Sequence, residues 1–281
     1  MTPHVLRRLD RLRPAALKSH RTRPMRIPQE LVDAVIDIVG AGYTESFVIG
    51  QPLQFPSDHQ VETRANLLSL ALVSKACNHR ARSHLFARCN FINAGSLHPE
   101  CLEQGPGVLL AYTRYLAIVK DQNPATVHAT LRHFISSPLI TLALHSVHIP
   151  EELPEMLNSV FRTVRHVVVV ASTLSPATLL NLVSNLERMS VLGFQRCRLN
   201  AALGEDDNFP SLPPLQGRLF LSGSDDSPPH LTLPSLLSRV HLPLRSLHHT
   251  STALPSDNKL ISACAGSLEE LDVSVLVNWG M

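Results

Sequence analysis

Long hydrophobic runs are missing from this sequence of 281 residues. Its wholly apolar runs, such as the one from Val167 to Ala171, extend over no more than five residues, whereas a membrane-spanning helix needs about 20. An integral membrane protein built on helices is therefore excluded. Charged residues are also few, at 17% against 44% hydrophobic residues, which is too little charge for a disordered or coiled-coil chain. The composition predicts a globular, soluble protein.

Cysteine pairs and aromatic residues are scarce as well. The five cysteines are odd in number and contain no C-x-x-C pair; they are Cys77, Cys89, Cys101, Cys197 and Cys264. Neither a disulfide framework nor a cysteine-type zinc site is indicated. A reducing compartment follows, so we expect a cytoplasmic or nuclear protein. Aromatic residues make up 5% while leucine is abundant, which favours regular aliphatic layers over a pocket-rich enzyme.

Catalytic motifs are missing too: the sequence contains no G-x-S-x-G, P-loop, Rossmann or H-E-x-x-H motif. Its 15 histidines include two close pairs, His145 with His148 and His248 with His249. Adjacent residues of a strand point to opposite faces, and a zinc site needs three or four convergent ligands. We predict a non-catalytic protein with no metal and no cofactor. An enzyme whose site carries no known motif is the alternative.

Acidic residues are nearly absent from the first 26 residues, where eight lysines and arginines face the single Asp10. This segment carries a net charge of +7, which leaves −5 for the rest of the chain. We interpret residues 1–26 as a basic disordered tail, because termini are commonly mobile; a mitochondrial presequence and a nuclear-import patch are the alternatives. No nucleic-acid partner is expected, because the rest of the chain is net negative and lacks an aromatic stacking platform.

Residues 27–92 are predicted to form a compact helical domain. Pro28 suits the first turn of a helix that should end near Gly40. A second helix is expected from Arg64 to Asn78 and a third from Arg80 to Phe91. Apolar residues cover more of these helices than a core of about 65 residues can bury. The excess apolar surface predicts a binding partner.

Three short blocks in this domain resemble an F-box. They are Ile27-Pro28-Gln29-Glu30-Leu31, Leu72-Val73-Ser74-Lys75 and His84-Leu85-Phe86, in the order and spacing of that family. The run from Leu70 to Phe86 is similar to the F-box proteins that are abundant in mushroom-forming fungi. Cys77 stands where that family usually has Trp, and the loop between residues 40 and 63 is longer than the usual connection.

The resemblance implies a partner and a set of contact residues. An F-box binds the Skp-type adaptor of a cullin–RING ubiquitin ligase and, through it, the cullin scaffold. The positions of this chain that match the family's contacts are Ile27, Pro28, Leu31, Leu72, Val73, Leu85 and Phe86. Packing of these residues against a second domain of the same chain is the alternative.

The rest of the chain, residues 113–281, follows a connector at 93–112 and contains an internal repeat. Seven strand centres recur at intervals of 26, 25, 25, 27, 28 and 24 residues: Leu116, Leu142, Val167, Leu192, Leu219, Leu247 and Leu271. These intervals match a leucine-rich repeat, as does the spacing L-x-x-L-x-L around four of the centres. Helices are predicted between the strands, at 125–135, 151–161, 176–187, 233–240 and 259–265.

Stacked units of this kind bury one continuous core. We therefore predict an α+β or α/β solenoid, in which a small N-terminal helical F-box module is followed by a curved leucine-rich-repeat solenoid of about seven repeats. The region from Phe134 to Pro138 onward also resembles the repeats that follow the F-box in the fungal family. Trp279 follows the last strand pattern without the polar cap that a solenoid end needs, so we expect the repeat domain to be truncated.

Alternation along the strands predicts a target-binding surface, because neighbouring side chains of a strand point to opposite faces. The residues between the leucine-like positions should share the concave face; they include His166, Val168, Val170, Val191, Gln195, Phe220, His248 and Asp272. The middle of this face is apolar and its last strand acidic, so an apolar target segment with a basic end is expected. Burial under the proline-rich loops at 200–217 and 222–230 is the alternative.

Together these patterns predict the substrate-recognition adaptor of a cullin–RING (SCF-type) ubiquitin ligase. The helical domain would bind the Skp-type adaptor, and the repeats would bind an unknown target protein for ubiquitination. The alternative is a leucine-rich-repeat scaffold outside the ligase, with a degenerate F-box. No membrane partner is expected.

Overall fold

A computed structural model describes residues 27–44, 58–92, 110–121, 123–201, 212, 214–222, 232–251 and 255–275. The predicted basic tail at 1–26, most of the predicted connector at 93–112, most of both proline-rich loops and Trp279 lie outside the described residues.

Three helices form a small bundle at the start of the described chain. They are α1 (Gln29–Thr44), α2 (Asp58–Ala71) and α3 (Lys75–Leu85), and their shared core consists of Ile36, Leu67, Cys77, Ala81 and Leu85. The predicted end of the first helix near Gly40 is wrong, because α1 continues through this glycine. The missing side chain of Gly40 lets the ring of His84 on α3 come close.

The predicted second helix, Arg64 to Asn78, is in fact parts of two helices. α2 ends at Ala71, and Ser74 begins α3 by accepting a hydrogen bond from the backbone N–H of Cys77 at 3.1 Å. An N-cap serine has an extended backbone and so interrupts a continuous helix. The side-chain amide of Asn78 donates to the carbonyl of Ala71 at 2.9 Å, which fixes α3 against the end of α2.

A parallel eight-stranded sheet follows the bundle. Its strands, adjacent in chain order, are β1 (Arg88–Ile92), β2 (Tyr115–Val119), β3 (Thr141–His145), β4 (His166–Val170), β6 (Val191–Gln195), β8 (Leu215–Ser222), β9 (Leu244–Ser251) and β10 (Glu270–Val275). A second parallel sheet pairs β5 (Thr173–Leu174) with β7 (Arg198–Leu199). The chain is of the α/β class, which confirms this part of the predicted fold.

The predicted third helix is wrong beyond Leu85, because residues 88–92 form strand β1. Cys89 pairs with Leu116 and Phe91 with Ile118. Cys89 and Phe91 are two residues apart, so a strand places both side chains on the same face, and both pack against the core of the sheet. β1 therefore belongs to the sheet, although it falls within the predicted boundaries 27–92 of the helical domain.

All seven predicted strand centres are confirmed. They occupy one row across the sheet, each paired with the next: Leu116, Leu142, Val167, Leu192, Leu219, Leu247 and Leu271. A second row, two residues later, contains Ile118, Leu144, Val169, Phe194, Leu221, His249 and Val273. Residues two apart share a face, and both rows are buried except at the last strand.

Helices on this side of the sheet complete the core. They are α4 (Pro124–His133), α5 (Leu153–Ser159), α6 (Pro176–Ser184) with a 3₁₀ turn at Asn185–Glu187, α7 (Leu233–Leu237) and α8 (Pro255–Cys264). The five helices predicted between strands are confirmed, with ends shifted by a few residues. Asn123, Ser175 and Thr232 cap three of them, and proline is the first helical residue in two of these helices and the second in the one that Thr232 caps. Each cap accepts a hydrogen bond from a backbone N–H of the first turn. Proline in this turn lacks an N–H, but the N–H groups there have no partner within the helix, so no helical hydrogen bond is lost. None of the described helices has the length and apolarity to cross a membrane.

A residue with a left-handed backbone conformation follows each of four strands. Lys120, Ser146, Ala171 and Arg196 have φ between 48° and 60°. Each of their backbone N–H groups donates to the carbonyl of the last residue of the next strand in the sheet, at 2.7–2.9 Å. Residues other than glycine rarely adopt this conformation. Its recurrence at the same place shows that these four units share one turn geometry.

We expect Ala171→Gly to leave stability unchanged or to raise it by up to about 1 kcal/mol, because glycine adopts a positive φ without the strain of a Cβ atom. The matched control is Ala129→Gly, an exposed position within α4, where a loss of about 1 kcal/mol is expected. Urea unfolding of both variants measures the difference. Equal losses at the two positions would argue against the left-handed turn.

Candidate functional site

The helical bundle exposes much apolar surface. Twelve large apolar side chains are exposed among the described residues, and eight of them lie in residues 27–73. We call these eight the bundle surface: Ile27, Leu31, Val35, Ile38, Val61, Leu68, Leu72 and Val73. Single exposed apolar residues are ordinary on a monomer, whereas large apolar patches are typical of interaction surfaces.

Two apolar stripes along α1 explain part of this exposure. Val32, Ile36 and Val39 face the bundle core, and Leu31, Val35 and Ile38 each stand one residue earlier and are exposed. One residue corresponds to a rotation of about 100° in an α-helix, so the second stripe points away from the core. The F-box resemblance does not include Val35 and Ile38 among the contacts; their helical spacing from Leu31 is the sequence signal that finds them.

Five of the seven predicted adaptor contacts are exposed: Ile27, Pro28, Leu31, Leu72 and Val73. Leu72 exposes 86% of its surface. The prediction needs correction at Leu85, because this side chain is 8% exposed and belongs to the bundle core. Phe86 is half-buried and packs against the same core. Leu85 and Phe86 therefore support the bundle from inside, while the other five face outward.

An ion-pair network ties α1 to α3. Nε and Nη2 of Arg80 donate hydrogen bonds to the two carboxylate oxygens of Asp37, the first at 2.6 Å. Nε2 of His84 lies 2.9 Å from Oδ1 of Asp37. The hydrogen bond from Arg80, followed by the one from His84, lowers the pKa of Asp37 to about 2. Gly40, one helical turn after Asp37, leaves the space that the His84 ring occupies.

The lowered pKa of Asp37 makes the stability of the bundle depend on pH in the acid range. Its contribution is complete above the ordinary value of 3.8 and is lost as the pH falls through the folded value of about 2. Asp37 and Arg80 are each more than a third exposed, so we expect no more than about 1 kcal/mol. Unfolding free energies of wild type and Asp37→Asn should differ by this amount at neutral pH and converge as the pH approaches the folded pKa. A difference that persists there would contradict the assignment.

The face of the sheet opposite the helices carries the predicted target-binding residues. The strand register places all eight there in three rows: His166 and Val191, then Val168, Phe220, His248 and Asp272, then Val170 and Gln195. We call this side of the sheet the open face. Its residues alternate with the two buried rows, as a strand requires.

The centre of the open face is less accessible than the sequence predicts. Val168, expected in an exposed apolar patch, is 5% exposed, so the prediction needs correction at this residue. It stands between Ala143 and Gly193 in the sheet, and a shallow recess of about 70 Å³ lies at Gly193, lined in part by Phe220 and Gln195. A partner would contact the half-buried side chains around Val168 rather than Val168 itself.

The acidic side chains of β10 already have partners. Nη2 of Arg218 donates to both carboxylate oxygens of Glu270, at 2.8 and 2.7 Å, and the hydroxyl of Ser246 donates to the same group at 2.8 Å. The hydrogen bond from Ser246, followed by that from Arg218, lowers the pKa of Glu270. Asp272 lies 2.7 Å from Nδ1 of His248. Both carboxylates are therefore engaged within the sheet, and the basic end expected of the target stays a prediction.

The histidines and cysteines of the described chain do not form a metal centre, since no group of three His, Cys, Asp or Glu side chains there could hold an ion. Burial lowers the pKa of His145 and of His166, both on the open face. The described cysteines are free. Burial raises the pKa of Cys197 to about 12 and that of Cys264 to about 11, so these two thiols are unreactive at neutral pH.

No protein-family model matches this chain, and no curated protein matches it. The bundle surface and the open face are therefore the two features on which a functional assignment rests.

Proposed function

We propose that this chain is the substrate-recognition adaptor of a cullin–RING ubiquitin ligase. In this proposal the bundle binds a Skp-type adaptor, which joins it to the cullin scaffold, and the open face binds the target protein. The observation that carries the proposal is the bundle surface, which includes four of the F-box-like contact residues: Ile27, Leu31, Leu72 and Val73.

The energetics of burial favour a stable partner for the bundle. Full burial of a leucine, isoleucine or valine side chain contributes about 1.5–3 kcal/mol. The bundle surface leaves eight such side chains in water, while only five residues make up the buried core of the bundle. A Skp-type adaptor that covers this surface would supply the burial that the bundle lacks.

Three regularities support the proposal that the open face of a repeat solenoid binds the target. The strand centres recur every 24–28 residues, the left-handed turns recur in phase with them, and leucine-like residues fill the core row by row. We interpret this arrangement as a leucine-rich-repeat solenoid, in which each unit buries its face against the next. The open face then remains for a target, with the half-buried Phe220 and Val191 among its contacts.

Ubiquitin transfer itself would be carried out by partner subunits, and this chain would only hold the target near them. Cys197 and Cys264 are buried thiols with raised pKa values, which fits a role without thiol chemistry.

A repeat scaffold outside the ligase is the second function to be distinguished. Cys77 favours it, because this residue fills the bundle core at the position where the F-box family usually has Trp. A smaller side chain buries less surface and would weaken the support beneath the adaptor interface. Such a scaffold would bind its partners through the open face and leave the bundle surface uncovered.

Co-purification tests the proposal. The full chain, co-expressed with a tagged fungal Skp-type adaptor, should elute with it as one complex. Leu72→Asp should abolish co-elution, because loss of a central interface side chain costs about 2 kcal/mol or more and a buried unpaired charge adds to this. The control is Ile135→Asp: Ile135 is also exposed but lies outside the bundle, so this variant should behave as the wild type does.

Two outcomes would count against the ligase assignment. Unchanged co-elution of Leu72→Asp would place the interface elsewhere. Failure of the wild type to co-elute would favour the scaffold function.

A further inference from the structure

A cleft of about 480 Å³ lies between the bundle and the sheet. On the sheet side it is lined by the first residues of four neighbouring strands, Arg88, Tyr115, Thr141 and His166. On the other side it is lined by residues of α1 and α3. The cleft therefore exists only where the bundle and the sheet are held together, and its volume is within the range of about 300–1,000 Å³ that is usual for ligand pockets.

The charges around this cleft are mainly positive. Three guanidinium groups line it, those of Arg80, Arg88 and Arg114, against the single carboxylate of Asp37. The lining thus carries a net charge of +2 without counting its two histidines. A site with a net positive charge attracts an anion, because the surrounding protein screens charge less than water does.

Two of the three guanidinium groups, those of Arg80 and Arg88, are held in place before any ligand arrives. Asp37 engages Nε and Nη2 of Arg80, which fixes the plane of the group and leaves the N–H groups of Nη1 for an acceptor. The guanidinium carbon of Arg88 lies 4.6 Å from the centre of the Tyr115 ring. Paired and stacked guanidinium groups lose less freedom when they bind. The cleft is therefore pre-organised to donate several hydrogen bonds.

His166 adds a ring nitrogen to the same cleft. Its Nδ1 lies 3.2 Å from the hydroxyl of Thr141, which leaves Nε2 for a ligand. Burial lowers the pKa of His166, which favours the neutral form of the ring. An uncharged ring next to fixed guanidinium groups suits a ligand that has several acceptor oxygens.

We propose that this cleft binds a phosphate monoester, held by Arg80, Arg88 and Arg114. A phosphate monoester carries a charge of about −1.5 to −2 at neutral pH and three strong acceptor oxygens, which suits the net charge of +2 and the three guanidinium groups of the lining. Guanidinium groups bind phosphate through paired hydrogen bonds. The phosphate could be carried by a phosphorylated protein side chain or by a small metabolite, and the test separates these sources. The proposal does not depend on the ligase assignment, because it concerns neither the adaptor nor the bundle surface.

Calorimetric titration of the full chain with phenyl phosphate and with a short phosphoserine peptide tests the proposal. We expect saturable binding at millimolar concentration or below and no binding of the same peptide with unmodified serine. Arg114→Gln should weaken binding at least about tenfold, because it removes a charge-assisted hydrogen bond. Arg114 is exposed, as is Arg132 on α4 outside the cleft, so Arg132→Gln is the matched control and should bind as the wild type does.

The outcomes have distinct meanings. Tighter binding of the peptide supports the proposal with a phosphorylated protein as the source, and tighter binding of phenyl phosphate supports it with a small metabolite. Lack of saturable binding by both probes overturns it. Unchanged affinity in Arg114→Gln, with thermal unfolding the same as that of the wild type, overturns it as well.

Discussion

Phe194→Ala should lower the free energy of unfolding by about 3–5 kcal/mol, the cost of removing a large aromatic side chain from a packed core. Phe194 is the fourth residue of β6 and is 2% exposed. It stands in a buried row between Val169 and Leu221. The surrounding side chains can relax only in part, so a cavity adds to the loss of apolar burial.

Phe220→Ala is the matched control, because Phe220 lies on the neighbouring strand but on the open face. Its ring is half-buried and rests against His248, with 4.8 Å between the ring centres. We expect a loss of about 1 kcal/mol, the scale of such a ring pair. Urea unfolding of both variants measures the difference between the faces. Equal losses would show that Phe220 is a core residue and that the open face is not available to a partner.

Gly217→Ala should also destabilise the fold strongly, by about 3 kcal/mol. A Cβ atom at this position would lie well inside the contact distance of the Met189 carbonyl oxygen and of the Leu186 side chain. A backbone carbonyl cannot rotate out of the way, so either β8 or the segment before β6 has to move. Gly217 lies where the register between β8 and β9 shifts, and the substitution should therefore disturb both neighbours of β8.

Gly266→Ala separates this effect from the general effect of replacing glycine. A Cβ atom at Gly266 would meet nothing within 4 Å, so we expect a change within about 0.5 kcal/mol. Chemical unfolding of both variants supplies the comparison. If Gly217→Ala is as stable as Gly266→Ala, the close approach of β8 to the segment before β6 is not present in solution.

The strand centres are predictable from sequence, because each unit must supply a leucine-like residue to the same row of the core. Helix ends depend on contacts that no local pattern shows. Gly40 lies within α1, where the ring of His84 packs over it. The spacing of Phe91 from the preceding apolar residues is compatible with a helix and with a strand. Its pairing with Ile118 of β2 shows that it lies in a strand.

The candidate site is predictable only in outline. Leu72 and Leu85 both belong to F-box-like blocks, yet packing exposes the first and buries the second. The sequence alone does not show that the acidic side chains of β10 have partners. Glu270 pairs with Arg218 of β8 across the intervening strand β9, so the two residues are far apart in the sequence. The cleft between the bundle and the sheet depends on how these two parts pack together. The spacing of the repeats carries no information about that contact.

Hydrogen–deuterium exchange of the full chain, with and without a Skp-type adaptor, tests most directly whether the bundle is the adaptor-binding part. Amides covered by a partner exchange more slowly, because their local openings become rarer. The account predicts slower exchange in α1, in α2 and at the turn of Leu72 and Val73, with the sheet from β2 to β9 unchanged. Protection confined to the open face, or no protection at a saturating adaptor concentration, would contradict it.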